Sequence, residues 1–110
     1  MPVYVVVEAA GINDQLAYDT KLMPMVQPIL NKYGKRIGLG TGASLRVFRN
    51  SSDHSVQRVV VLEFPDETAA VSWWNDMEPV LKEAEKYAKF SVYGVLGRSL
   101  WGEDRWPTRF

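Results

Sequence analysis

The chain has 110 residues, which suits one compact domain and leaves little room for a second. Thirteen basic residues balance thirteen acidic ones, so no polybasic face is implied and nucleic acid is not an expected partner. The lack of cysteine excludes disulfides, thiolate zinc sites and a cysteine nucleophile, and a single histidine argues against a transition-metal site. No apolar stretch approaches the roughly 20 residues of a membrane span. We therefore expect a cytoplasmic protein with no cofactor, metal or membrane partner.

The N-terminal part predicts a strand and then a helix interrupted by prolines. Residues 3–9 (VYVVVEA) are rich in β-branched side chains, which favour a strand. Asn13 or Asp14 can cap the helix that follows. The face of this helix is predicted from side chains that recur at steps of three and four: Leu16, Thr20, Met23, Val26, Leu30 and Tyr33. Because Pro24 and Pro28 each remove a backbone donor, we expect a kink or two shorter helices.

The middle of the chain predicts an irregular segment and a β-hairpin. Gly34 is the expected C-terminal cap of the first helix. Residues 35–44 (KRIGLGTGAS) are glycine-rich, so we expect them to be irregular. The alternating residues 45–49 (LRVFR) predict the second strand, and 50–55 (NSSDHS) have the composition of a hairpin loop. Residues 57–64 then predict the third strand.

The C-terminal part predicts a second helix and a fourth strand. Asp66 is a good N-cap, and Pro79 predicts a kink. One apolar face of this helix contains Ala70, Trp73, Trp74, Met77, Leu81 and Ala84. Residues 90–96 (FSVYGVL) predict the strand. We divide the chain into a domain at residues 1–97 and an aromatic extension at 98–110.

The element order βαββαβ is the ferredoxin-like arrangement, an α+β fold with both helices on one face of an antiparallel sheet. Residues in this order resemble the DUF1330 family of the dimeric α+β barrel superfamily, over roughly residues 2–97. The matching residues are Tyr4, Tyr18, Tyr33-Gly34, Arg36, Gly40 and the run RVVVLEFPDETAAVSWWN at 58–75. By resemblance, such barrels form when two protomers pair their sheets face to face, and their pockets lie between helices and sheet.

The strand patterns also predict a homodimer. A sheet covered by helices on one side only should alternate apolar and polar residues. The first and third strands instead read VYVVV and VVVLEF, which are apolar on both faces. We therefore expect the helices to bury one face and a second copy of the chain to bury the other.

Glu63 is the anomaly of the third strand, because it is a carboxylate within an apolar run. A buried carboxylate without partners is costly, so Glu63 needs one, and Tyr4, Arg46 and Arg49 are candidates. As a functional group, Glu63 is a candidate general base or polar anchor in an apolar pocket. Alternatively it is a strand-end carboxylate or part of an ion pair between subunits.

His54 is the second candidate base, since any histidine-dependent mechanism must use it. It can act only if its loop folds inward. A solvated loop residue is the alternative interpretation.

The aromatic residues are candidates for the wall of a substrate pocket. Trp73 and Trp74 point about 100° apart on a helix, so one should face the sheet and the other a flank or pocket mouth. Tyr18, Tyr33 and Tyr93 can supply hydroxyl groups to an apolar cleft. Together with Tyr4 and Arg46, these residues form the predicted substrate-binding set. Core packing is the alternative for each aromatic residue.

Two functional hypotheses follow. The first, by analogy with related barrels, is a cofactor-independent enzyme of the monooxygenase, isomerase, cyclase or lyase type. It would act on a small apolar, aromatic or polyketide-like molecule by proton transfer, with tyrosine hydroxyls stabilising an oxyanion. The second is a non-catalytic ligand-binding or structural homodimer.

Overall fold

The computed structural model of the chain describes residues 2–51 and 55–96, apart from the side chains of residues 43 and 96. Its strands are β1 (Val3–Ala10), β2 (Lys35–Thr41), β3 (Val56–Phe64) and β4 (Lys89–Leu96). Its α-helices are α1 (Gln15–Ala17), α2 (Met23–Tyr33) and α3 (Glu67–Ala84). A π-helical segment (Tyr18–Leu22) joins α1 to α2, and a 3-10 turn (Gly42–Ser44) follows β2.

The four strands form one antiparallel sheet in the order β2-β3-β1-β4. The valine-rich β1 and β3 occupy the centre, where Val3 is paired with Phe64 on one side and with Leu96 on the other. Helices α2 and α3 pack on one face of this sheet, around buried residues such as Phe64, Trp73 and Met77. The α+β ferredoxin-like prediction is therefore confirmed.

The position of the second strand was predicted incorrectly. It is formed by residues 35–41, which we expected to be irregular, whereas residues 45–51 contain no strand. Pairing with β3 explains the difference, because a valine-rich neighbour supplies hydrogen bonds that offset the weak strand propensity of glycine. Gly38 and Gly40 pair with Val61 and Val59, and an irregularity in the register separates Arg36 from Gly38.

The first helical region is divided into α1, the π-helical segment and α2, and Pro28 lies inside α2 without ending it. The Asp14 carboxylate caps α1 by accepting a hydrogen bond of 3.0 Å from the Ala17 amide. Pro24 lies in the first turn of α2, where a missing amide hydrogen costs little. The face of the π-helical segment was predicted incorrectly, because its wider turn changes the residues that point inward. Leu16 is 73% exposed and Thr20 is exposed, while the buried residues of the π-helical segment are Tyr18 and Leu22.

Helix α3 begins where the sequence predicts. The Asp66 carboxylate accepts a hydrogen bond of 2.8 Å from the Ala69 amide and so caps the helix. The helix continues without a break through Pro79 to Ala84. Four of the residues on its predicted apolar face, Ala70, Trp73, Met77 and Leu81, are buried in the main core.

The second face of the sheet carries no helix among the described residues, and we call it the open face. Its central positions are apolar, since Val6 pairs with Val61 and with Tyr93, while Tyr4 pairs with Val95. Tyr93 and Val95 are exposed in the single chain, and Val6 and Val61 are half-buried.

Within residues 2–51 and 55–96, none of the helices is long and apolar enough to cross a membrane.

Candidate functional site

A cavity of about 200 Å³ lies between the helices and the sheet, and we call it the helix–sheet cavity. Its walls are mainly aliphatic and aromatic side chains from the three longer helical segments and from all four strands. The polar side chains that line it are Tyr18, Gln27, Arg36 and Arg58. Since an engineered apolar cavity of about 150 Å³ holds benzene, this volume suits one substituted ring.

Tyr18 is the most buried polar side chain of this cavity. The π-helical segment begins at Tyr18 and directs its ring inward, where it is 5% exposed and stacks on Phe90 with ring centres 6.2 Å apart. Burial raises the pKa of the Tyr18 phenol above its ordinary value, although the adjacent Arg58 guanidinium acts in the opposite direction. The phenol is therefore a neutral hydrogen-bond donor at physiological pH.

Arg58 brings a positive charge to the same end of the cavity. It lies in β3 two residues before Val60, so its side chain points toward the helices rather than the open face. Its guanidinium carbon is 4.6 Å from the centre of the Tyr18 ring, a cation–π distance. One of its terminal nitrogens donates to Asp19 Oδ1 at 3.0 Å, and its side chain is 19% exposed. The guanidinium therefore contacts both Asp19 and Tyr18, and it carries five N–H donors in all.

Asp19 and Gln15 support Arg58 from the helix. Gln15 Nε2 donates to Asp19 Oδ2 at 3.0 Å, while Asp19 Oδ1 accepts from Arg58. The hydrogen bond from Gln15 is the main reason that the pKa of the Asp19 carboxyl is lowered, and the bond from Arg58 acts in the same direction. Asp19 is therefore ionised and holds Arg58 beside Tyr18.

Arg36 is the second cation of the helix–sheet cavity. It pairs with Leu62 across the edge of the sheet and is exposed. No carboxylate lies within ion-pair distance of Arg36 in the part of the chain that the structure describes. The lining therefore combines two guanidinium groups with a phenol, and its described residues include no carboxylate.

A second cavity, of about 270 Å³, lies between α3 and the β1–β4 edge, and we call it the β4 cavity. Valines, Ala70, Gly94 and the two adjacent tryptophans line it, and Glu67 is its one charged side chain among the described residues. Trp73 also lines the helix–sheet cavity, so it separates the two. The indole nitrogen of Trp73 is buried and has no hydrogen-bond partner. An unpaired buried donor of this kind costs about 1–3 kcal/mol.

Glu63 lies outside both cavities. Its side chain is on the open face, 29% exposed, with Tyr4 and Lys35 as its cross-strand neighbours. Lys35 Nζ is 3.4 Å from Glu63 Oε1, so the partner of Glu63 is a lysine and not the predicted arginine. The exposed lysine makes this a weak pair. Within one chain, Glu63 is therefore a polar residue of the open face.

The other predicted site residues are divided between the cavities, the open face and the surface. Tyr4 and Tyr93 lie on the open face, and Arg46 is exposed in the segment after the 3-10 turn. The Tyr33 hydroxyl donates to Asp76 Oδ2 at 2.6 Å and ties α2 to α3.

The structure therefore brings only part of the predicted site together. Tyr18 and Trp73 share the helix–sheet cavity, while Trp74 lines the β4 cavity. His54 and the extension at 98–110 lie outside the described residues.

The sequence indicates that Arg58 faces the helices, although Arg58 was not among the predicted site residues. Arg58, Val60, Leu62 and Phe64 alternate along β3, so period-two spacing places Arg58 on the helix-covered face. A charged residue in phase with core positions indicates a cavity or a buried pair. Arg36 had no comparable signal, because residues 35–41 were not recognised as a strand.

No group of three or more metal-ligating side chains occurs within residues 2–51 and 55–96. In the helix–sheet cavity the arrangement can bind an anionic oxygen and donate a proton or hydrogen bond from Tyr18. Among the described residues that line it, the cavity offers no carboxylate or histidine as a base.

The sequence model of the family described as Domain of unknown function (DUF1330) matches residues 2–97, so the chain belongs to this family. No functionally curated protein matches the sequence.

Solved structures share the fold at low sequence identity. A protein of unknown function from Rhodopseudomonas palustris, RPA0582, is 19% identical with a TM-score of 0.61, over 89% of this chain and 83% of that one. SnoaB, a cofactor-independent oxygenase from Streptomyces nogalater, is 10% identical with a TM-score of 0.59, over 93% and 98%. A dimeric ferredoxin-like protein of unknown function from Thermobifida fusca is 8% identical with a TM-score of 0.58, over 86% and 90%. Likeness at these identities establishes the ferredoxin-like fold alone.

Proposed function

We propose that this member of the DUF1330 family binds a small, mostly apolar molecule with an acidic oxygen in the helix–sheet cavity. One observation carries the proposal: an apolar cavity of one-ring size is lined by two guanidinium groups and a buried phenol, with no carboxylate among the lining residues that the structure describes. Arginine suits planar carboxylates and enolates because its N–H groups form a rigid fork. The ligand class is therefore a single-ring carboxylate, or a carbonyl compound that ionises to an enolate.

The chemistry that this cavity supports is proton transfer without a cofactor. The proton that leaves the ligand's carbon would pass to solvent water or hydroxide, because the described lining offers no base. Arg36 and Arg58 would stabilise the negative charge that this leaves on the ligand oxygen, and Tyr18 would donate a hydrogen bond or a proton to that oxygen. Asp19 would act through Arg58 by holding its guanidinium at 3.0 Å. This assignment makes Tyr18 the proton donor and uses neither Glu63 nor His54 as a base. The cofactor-independent oxygenase SnoaB shares the fold and lends the enzyme class some support.

A non-catalytic binding function is the second candidate. It is favoured by the absence of a carboxylate or histidine base from the described lining of the cavity. Phenylpyruvate separates the two candidates, because it has one ring, a carboxylate and an exchangeable proton next to a carbonyl. A catalyst would accelerate deuterium exchange at that carbon, and Tyr18→Phe would abolish the acceleration. Binding without any acceleration over buffer would support the non-catalytic function.

The binding proposal is tested with benzoate and its neutral counterpart benzyl alcohol, by calorimetry or by NMR titration of the full chain. We expect benzoate to bind more tightly than benzyl alcohol. Arg36→Gln and Arg58→Gln should each reduce benzoate affinity about tenfold, since hydrogen bonds to a charged group contribute about 1.5–3 kcal/mol. Arg46→Gln is the matched control, because it makes the same charge change at an exposed position outside the cavity lining. Equal loss in all three variants would show a non-specific charge effect and refute the site.

We also propose that the open face is the interface of a two-fold homodimer. The support is its composition: Val6, Val61, Tyr93 and Val95 leave an apolar surface that helices do not cover within the described chain. The Lys35–Glu63 pair would lie at the edge of such an interface. The similar protein from Thermobifida fusca is itself described as dimeric.

Light scattering tests the dimer. We expect a mass of two chains for the unaltered protein and of one chain for Val61→Glu, because a charge at the centre of an apolar interface is desolvated without a partner. Val47→Glu is the control, since it introduces the same side chain at an exposed site outside the strands. A concentration-independent monomer for the unaltered protein would overturn the proposal.

A further inference from the structure

The helix–sheet cavity is elongated along β3. Arg58, Val60 and Leu62 line it from alternate positions of this strand, so the two ends of the wall are four residues apart. At about 3.4 Å per residue, the wall is roughly 13 Å long. Helix α2 lines the cavity from Met23 to Leu30, which is a run of helix about 10 Å long. A volume of about 200 Å³ along such walls suits a narrow, rod-shaped molecule.

One end of the cavity is buried and its charges are balanced. Tyr18 is 5% exposed there, and the Arg58 guanidinium contacts both the Tyr18 ring and the Asp19 carboxylate. Since Asp19 offsets the charge of Arg58, a carboxylate would gain less here than beside an unpaired cation. A neutral carbonyl oxygen, in contrast, can accept a hydrogen bond from the Tyr18 phenol. The buried end therefore suits a neutral oxygen.

The other end of the cavity is open and carries an unpaired cation. The exposed residues of the lining are Gln27, Arg36 and Leu39, so the cavity opens between α2 and β2. Arg36 pairs with Leu62, at the far end of the β3 wall from Arg58. No carboxylate of the described residues lies within ion-pair distance of Arg36. A ligand carboxylate at this end would meet a cation and keep its contact with water, which avoids the cost of burying a charge.

We infer that the ligand of the helix–sheet cavity is a rod-shaped keto acid, with a carbonyl oxygen at the Tyr18 end and a carboxylate at the Arg36 end of an apolar body the size of one ring. This inference rests on the function proposed for the cavity and adds a second polar group at the opposite end of the ligand. It places the carbonyl, whose oxygen becomes anionic in an enolate, beside Tyr18 and Arg58. Benzoate has one polar group only, and the exposed Arg36 side chain is free to turn toward it.

The inference is tested with a matched pair of ligands, 4-acetylbenzoate and 4-isopropenylbenzoate. Both have one ring and a carboxylate, and the second replaces the carbonyl oxygen of the first with a methylene group. Each is titrated into the full chain by calorimetry, with benzoate as the reference. We expect 4-acetylbenzoate to bind at least about fivefold more tightly than 4-isopropenylbenzoate.

The reference ligand separates the failure of this inference from the failure of the proposed function. Equal affinities for the matched pair would overturn the keto acid, while binding of benzoate would leave the function proposed for the cavity standing. Failure of all three ligands to bind would refute both.

Two variants locate the ends of the ligand. Tyr18→Phe removes the phenol hydroxyl, so it should bind the ketone and the alkene equally. Arg36→Gln should weaken the binding of both ligands about tenfold and keep the preference for the ketone, because it removes the partner of the carboxylate alone. Arg46→Gln is the control for the loss of an exposed positive charge. A preference for the ketone that survives Tyr18→Phe, or that disappears in Arg36→Gln, would contradict the placement of the two groups. The comparison on the unaltered protein holds even if Tyr18→Phe folds poorly.

Discussion

Replacing Gly34 with alanine should destabilise the protein, because other atoms already lie where the added Cβ would be. Gly34 joins α2 to β2, and its amide donates to the Leu30 carbonyl at 2.8 Å. A Cβ atom at this position would lie 2.5 Å from the Glu63 carbonyl oxygen and 2.5 Å from Phe64 Cδ1. The Phe64 ring is fully buried, so it cannot turn away. Gly34→Ala must therefore move the end of α2 away from β3.

The expected loss is at the upper end of that seen for overpacked cores, about 2–3 kcal/mol in the free energy of unfolding. For a domain of this size, about 4 °C per kcal/mol corresponds to a fall in Tm of roughly 8–12 °C. Because Arg36 follows Gly34 by two residues, benzoate affinity should also fall. Urea denaturation with a common m-value gives the free energy, and calorimetry gives the Tm.

Gly38→Ala is the matched control for the close approach at Gly34. Its Cβ would meet Val61 side-chain atoms at 3.6 and 3.7 Å, which is ordinary van der Waals contact. Its backbone has no positive φ, so alanine is tolerated and the change should lie within about 1 kcal/mol. Both variants are compared at the same oligomeric state. A Gly34→Ala variant as stable as Gly38→Ala would refute the reasoning.

Three smaller changes test other contacts. Burial raises the pKa of the Tyr18 phenol in the folded protein, so the unfolded chain loses this proton at a lower pH than the folded chain does. The neutral phenol therefore contributes to stability below about pH 10, and this contribution is lost as pH rises through the folded pKa. Ultraviolet titration should show one phenol ionising late, and Tyr18→Phe should remove it; a fully ordinary titration would contradict the buried position. Tyr33→Phe loses the 2.6 Å hydrogen bond to Asp76 and should cost about 1 kcal/mol in urea denaturation, whereas no loss would mean that water replaces it. Asp66→Ala removes the cap of α3 and should cost about 1 kcal/mol, and an unchanged free energy of unfolding would argue against that cap.

The central elements of the fold could be predicted because local and tertiary preferences agree in them. Valine-rich β1 and β3 have high strand propensity and also occupy the centre of the sheet. Asp66 marks the start of α3 through a hydrogen bond that is local in sequence. The second strand was missed because its pairing partner, β3, lies some twenty residues away, and glycine-rich residues 35–41 have no strong preference of their own.

The candidate site was only partly predictable, for related reasons. Tyr18 and Trp73 were named from residue type, and the cleft between helices and sheet was implied by resemblance. The inward rotation of Tyr18 depends on a π-helical turn, which the spacing of Leu16 and Thr20 did not indicate. Glu63 drew attention because it is a charge among apolar residues, yet period two places it on the open face and Arg58 on the face that lines the cavity.

A crystal of the full chain soaked with 4-bromobenzoate would show where an aromatic carboxylate binds, since the anomalous signal of bromine locates the ring. We expect bromine among the apolar walls of the helix–sheet cavity, with the carboxylate within hydrogen-bond distance of Arg36 or Arg58 and close to the Tyr18 hydroxyl. Bromine on the open face, in the β4 cavity or nowhere in the protein at saturating concentration would contradict it.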